Sequence, residues 1–183
     1  MFSLTRQTVL IASTTAILAL AATVGAEEPA PRRDTSRFEI RFLIDMIDHH
    51  MMAVMTAELC LDRTRHGELE ALCEQIKQVQ LAEIREMQSW LSDWYGIRYE
   101  PRMKGGMRRQ LRELAKLQNA KFEIAFMQMM IVHHSEAIEE GEECVERAFH
   151  DDLVELCEGI VATQSMEIEL MEAWLCDWYS ICD

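Results

Sequence analysis

The sequence predicts an all-α protein, a four-helix bundle assembled from two copies of one helical hairpin. Three observations carry that prediction. Residues 38–97 and 122–181 align at a constant offset of 84 without a gap, and 28 of the 60 aligned positions are identical. Internal repetition of this kind decides architecture before any local reading does. Within each copy the apolar residues recur at helical spacing. Beyond residue 26 the chain holds only Pro29, Pro31 and Pro101, and no strand-like run bounded by turn residues. Sixty residues are too many for one solenoid repeat and suit two helices joined by a turn, so two copies make four helices.

Taken in order, the chain opens on Arg6, an uncharged apolar run from Val9 to Val24, and a small-residue site, Val24-Gly25-Ala26, before Glu27. That pattern is a secretory signal peptide, and a retained N-terminal anchor is the alternative. No later apolar run approaches the roughly 20 residues of a membrane span. The expected mature chain, residues 27–183, is long enough for one bundle domain with a core. It carries 17 basic and 32 acidic residues, a net charge of −15 once Arg6 is removed. Such a surface disfavours nucleic acid and favours cations.

In the first copy Thr35 or Ser36 can cap a helix that runs to about Arg63. A break at 64–67 follows, then a second helix from Glu68 to Tyr95, stopped by Gly96. The second copy repeats this, with its break near His150-Asp151. Residues 98–121 lie outside the repeat. Gly105-Gly106 should break this connection. The spacing of Met107, Leu111, Leu114 and Leu117 predicts that the third long helix begins early and bends near Asn119. The connection is basic (Arg98, Arg102, Lys104, Arg108, Arg109, Arg112, Lys116, Lys121). It is either a docking surface for a protein partner or a solvated face. Its length leaves open the end of the bundle at which the third helix starts.

Helical spacing puts Phe42, Met46, His49, His50, Ala53, Ala57 and Cys60 on one face of the first helix. The third helix repeats that set with Phe126, Met130, His133, His134, Ala137, Gly141 and Cys144. On the second helix Gln80 and Glu83 interrupt an apolar face, as Gln164 and Glu167 do on the fourth. A glutamate facing a core is costly unless it is paired or bound to a metal. Cys60 and Cys73 bracket the first turn on inward faces, and Cys144 and Cys157 the second. A bridge across each is worth about 3 kcal/mol and suits an exported chain. Cys176 and Cys182 are either a local bridge, free thiols or thiolate ligands. The bridged register pairs positions that sum to 133 in the first hairpin and 301 in the second. Met46 then faces Met87 and His50 faces Glu83; Met130 faces Met171 and His134 faces Glu167.

Each hairpin so read offers thioethers, imidazoles and a carboxylate together. Thioethers select Cu(I), whereas imidazole accepts Cu(I), Cu(II) and Zn. Met46, His49, His50 and Met87, with Met130, His133, His134 and Met171, are therefore candidate copper ligands. Glu83 and Glu167 are further ligands or supports. The competing reading is a Met-rich core whose histidines bond to those glutamates. Met51, Met52 and Met55, on the other side of the first helix and without counterparts in the repeat, form a second, exposed Cu(I) site or a partner interface. His66 and His150 are expected as capping or surface residues, and the four tryptophans as core at the bundle ends. A di-iron carboxylate centre needs inward Glu-x-x-His pairs. The residues three before each histidine are Met46, Ile47, Arg63, Met130, Ile131 and Arg147, none a carboxylate. No nucleophile triad, P-loop or Gly-rich dinucleotide turn appears either.

Phe38, Phe42, Met46-Ile47 and His49-His50, followed by Gln80, Glu83-Ile84, Met87, Trp90-Leu91 and Trp94-Tyr95, form a pattern that resembles domain-of-unknown-function family 305. The match extends to the second copy. The resemblance implies a ferritin-like bundle, export and, in some members, copper binding through methionine and histidine at the eight positions above. Many members place a proline just before the His pair, where this chain has Asp48 and Val132, so both helices should run without that kink. The expected function is non-catalytic: exported copper binding for sequestration, resistance or transfer. A metal-free, disulfide-stapled scaffold and a ferritin-like redox enzyme are the alternatives.

Overall fold

The computed structural model describes residues 28–103 and 105–182, so the signal-peptide expectation for residues 1–26 lies outside the described residues. Five helices follow one another: α1 (Arg33–Leu61), α2 (Gly67–Tyr95), α3 (Gly105–Leu114), α4 (Ala120–Arg147) and α5 (Asp151–Tyr179). No strand occurs among the described residues, and no helix there is long and apolar enough to cross a membrane. The four long helices are the two predicted hairpins, and α1 and α4 run unbroken through Asp48 and Val132.

Three local expectations are corrected. Helix α1 starts at Arg33, not at a Thr35 or Ser36 cap; the Ser36 hydroxyl instead donates back to the Ala30 carbonyl at 2.6 Å. Gly105-Gly106 opens α3 rather than breaking the connection. The third long helix does not begin early with a bend. Residues 115–119 separate α3 from α4, and Asn119, at φ 55° and ψ −142°, turns the chain sharply there. A contiguous helical period cannot reveal such a break, because α3 and α4 each satisfy it separately.

Both predicted bridges are formed, Cys60–Cys73 and Cys144–Cys157, and Cys176–Cys182, left open by the sequence, is bridged as well. The first two each close a turn with a sequence separation of 13. Reducing either is expected to lower unfolding free energy by about 3 kcal/mol, measurable by urea denaturation with and without a thiol reductant. At the C-terminus of α2, Gly96 takes φ 66°, and the N–H of Ile97 reaches back to the Leu91 carbonyl. In α5 the same cap is built on Ser180 at φ 58°. A side chain in that left-handed conformation is strained where glycine is not, so Ser180→Gly is expected to stabilise by on the order of 0.5–1 kcal/mol, seen as a higher denaturation midpoint.

The hairpins meet along α1 and α4, which run antiparallel. Phe38, Phe42 and Met46 share a core cluster with Ala137 and Cys144, while Ala53, Ala57 and Cys60 share another with Phe122, Phe126 and Met130. The start of α4 therefore lies beside the first turn, whereas α2 ends at the opposite end of the bundle. Residues 96–119 must cross the bundle lengthwise. This crossover is tied down on the way: the Tyr99 hydroxyl donates to Asp48 at 2.9 Å, the Arg102 N–H to Asp48 at 2.6 Å, and Gln88 Nε2 to the Tyr99 carbonyl at 2.8 Å. Arg63 then donates to the Leu117 carbonyl at 3.0 Å.

Each turn is clasped by a glutamate of the other hairpin. Glu39 on α1 accepts from the N–H groups of Phe149 and His150, from His150 Nδ1 and from the Tyr95 hydroxyl. Its repeat partner Glu123 accepts from Thr64, the N–H groups of Arg65 and His66, His66 Nδ1 and the Tyr179 hydroxyl. His66 and His150 sit at the N-cap positions of α2 and α5, but neither side chain caps its helix. His150 is buried, not a surface residue, and stacks on Trp94; His66 stacks on Trp178. The clasps were missed because Glu39 and Glu123 have ordinary sequence surroundings. Their recurrence at the same offset of 84, with Tyr95 and Tyr179, was the available signal.

Candidate metal centre

The predicted register holds in both hairpins. His50 Nε2 lies 2.9 Å from Glu83 Oε2, and His134 Nε2 lies 2.8 Å from Glu167 Oε2. The first pair is aligned as a hydrogen bond; the second is equally close but turned out of the hydrogen-bond direction. Both imidazoles are fully buried, Glu167 is nearly so, and Glu83 retains 15% of its side-chain exposure.

Only the tertiary structure reveals that the two histidine pairs join. His49 and His133 stack across the α1–α4 interface with ring centroids 3.6 Å apart. His133 Nε2 donates to the His49 carbonyl at 3.1 Å. Four histidines thus form one polar layer across the middle of the bundle. Met46 and Met87 belong to the core cluster on one side of it, Met130 and Met171 to the cluster on the other, and all four are buried. The α1–α4 packing brings together what the sequence offered as one site per hairpin.

The layer is poorly satisfied as a plain core. In His50 and His134, Nε2 faces a carboxylate, and in His133 it faces a carbonyl. In all three, Nδ1 is buried with no hydrogen-bond partner among the described residues. Buried polar atoms are almost always paired, and an exception calls for an explanation such as an ion. Burial above all, and then the neighbouring imidazoles of His49, His134 and His50, hold His133 well below the usual histidine range. It is therefore neutral near pH 7 and keeps a lone pair. An imidazole with one nitrogen on a carboxylate and the other free is the arrangement that orients histidine toward a metal. The residues present thus fit copper, and Glu83 and Glu167 stand beside the imidazoles where a carboxylate can support them. His, Cys, Asp and Glu alone form no three-ligand group among the described residues.

The outer methionines do not form one group. Met52 is buried, Met51 is partly buried against the core, and only Met55 is exposed, at 36%. The crossover accounts for the difference from α4: it lies on the outer side of α1, held by Asp48, whereas the repeat-related Val132 is 60% exposed. An exposed three-methionine Cu(I) site on α1 is corrected accordingly.

The family model described as "Domain of unknown function (DUF305)" matches residues 39–175. This chain belongs to the DUF305 family. Among solved structures, CopM in the Cu(I)-bound form is 30% identical with a TM-score of 0.70, over 77% of this chain and 97% of that one. CopM in the Cu(II)-bound form is 30% identical, with a TM-score of 0.68 over 77% and 98%. A DUF305 fragment from Deinococcus radiodurans is 25% identical, with a TM-score of 0.68 over 81% and 98%. No curated sequence matches the chain. These neighbours agree with the helical bundle, and those named as metal-bound forms suggest copper handling within the family.

Proposed function

We propose that this DUF305 protein is an exported, non-catalytic copper-binding protein that sequesters copper or hands it on. The reading rests chiefly on the buried, unpartnered Nδ1 atoms of His50, His133 and His134 in a layer flanked by Met46, Met87, Met130 and Met171. Thioether and imidazole together favour Cu(I), and the imidazoles alone accept Cu(II). Similarity to CopM, known in Cu(I)-, Cu(II)- and Ag-bound forms, supports copper as an ion this fold can take. Export is supported by the signal-like N-terminal run and by three disulfides, which persist in oxidising compartments.

The test is an anaerobic titration of the oxidised, mature protein with Cu(I) against a chromogenic competitor. Uptake is expected, together with its loss when His49, His50, His133 and His134 are replaced. A protein that takes up neither Cu(I) nor Cu(II) ends the proposal and leaves the disulfide-stapled scaffold, for which the paired glutamate clasps speak.

A further inference from the structure

A buried layer needs a route in, and the four seams of the bundle are not alike. The α1/α2 seam is stapled by Cys60–Cys73 and overlaid by the crossover through Asp48, Tyr99 and Gln88. The α4/α5 seam is stapled by Cys144–Cys157 and closely packed, and the α1/α4 seam is filled by the His49–His133 stack, whose residues keep 7% and 9% exposure. Helices α2 and α5 are not among the closely packed pairs. Between them runs a narrow cavity of about 10 Å³, lined by Gln80, Glu83, Gln164 and Glu167, with the repeat-related Val79 and Thr163 also on its wall.

The polar groups in this seam are unusual. Gln80 and Gln164 are buried, 2% and 3% exposed, and the side-chain oxygen of each has no hydrogen-bond partner among the described residues. Glu83 and Glu167 each commit Oε2 to a histidine of the layer. Gln75 Nε2 donates to the other oxygen of Glu167, Oε1, at a long 3.5 Å. Oxygen donors thus line the seam and end on the imidazoles. Amide and carboxylate oxygens attract cations and repel anionic complexes, yet they hold a soft ion more weakly than thioether or imidazole does. Weak sites on the way to strong ones are what transit requires. The cavity has room for about one water, and so for a bare ion but not for a complexed one.

We propose that the α2/α5 seam is the access route by which a bare monovalent soft cation, Cu(I) or Ag(I), reaches and leaves the histidine layer. Gln80, Gln164, Glu83 and Glu167 supply its transient oxygen ligands. The inference rests on the copper reading above. Its test is stopped-flow Cu(I) and Ag(I) uptake by the wild type and two double variants, with affinity and stoichiometry measured at equilibrium. Val79→Phe with Thr163→Phe narrows the seam, and Gln80→Leu with Gln164→Leu removes the unpaired oxygens at similar volume. Uptake is expected to slow by roughly tenfold or more in both variants, with stoichiometry and affinity unchanged. Should the phenylalanine variant fail to fold, the leucine variant alone decides the matter. An unchanged uptake rate, or affinity lost while the association rate stays the same, overturns the route and leaves copper binding standing. No uptake by the wild type brings down both.

Discussion

Replacing Met46, Met87, Met130 and Met171 together by leucine is expected to leave the bundle folded and to weaken Cu(I) binding by roughly a hundredfold or more. All four side chains are buried in the core clusters on either side of the histidine layer. Leucine nearly conserves methionine's volume, and such exchanges cost less than about 1.5 kcal/mol each. What leucine lacks is the thioether. If these methionines are only core, the variant melts near the wild type and binds copper as before. If they are ligands, circular dichroism changes little while chelator competition reports the loss. Cu(II) binding should fall much less, because imidazole alone serves that ion. Unchanged Cu(I) affinity would remove the thioethers from the site.

Truncating the clasps should have the largest effect on stability. Glu123→Leu leaves Thr64 Oγ1, the N–H groups of Arg65 and His66, His66 Nδ1 and the Tyr179 hydroxyl without their shared acceptor. Losing a buried charged acceptor shared by several part-buried donors costs on the order of 3 kcal/mol. Glu39→Leu is expected to match it at the other end, since Glu39 serves Phe149, His150 and Tyr95 in the same way. The Glu123 clasp also sets an acid limit. Burial pushes its carboxyl up, but the bonds from Arg65, Tyr179, Thr64 and His66 outweigh that and hold it down at about 2, against an ordinary 4.5. The folded state therefore favours the ionised form, and below pH 4.5 the unfolded chain binds the extra proton. The stabilisation is full above about pH 4.5 and is lost as the pH falls toward 2. Urea denaturation across that window should show the decline in the wild type and flatten it in Glu123→Leu. A wild type equally stable at pH 5 and pH 2.5 would refute this account.

Much of the site was legible because it lies within one hairpin. His50 opposite Glu83 follows from a short turn, antiparallel helices and a cysteine pair that pins the register, all of them local constraints. The orphaned imidazole nitrogens were not legible, since a sequence gives facing positions but not which ring atom meets which oxygen. The burial of Asp48 was hidden for another reason: the groups that bond to it come from residues some fifty positions away, at Tyr99 and Arg102.

The sequence by itself determined the repeat, the two hairpins, their register, the pairing of the four cysteines within the repeat, and the family. These depend on helical period and on contacts across turns, where few conformations compete. Tertiary structure alone decided that α4 runs antiparallel to α1, that residues 96–119 cross the bundle, and that the histidine pairs meet as one layer through His49 and His133. A connection of this length constrains its ends weakly, because closure entropy changes only slowly with loop length. The choice fell instead to the packing of the two inner faces and to the clasps of Glu39 and Glu123, which each hold the turn of the opposite hairpin.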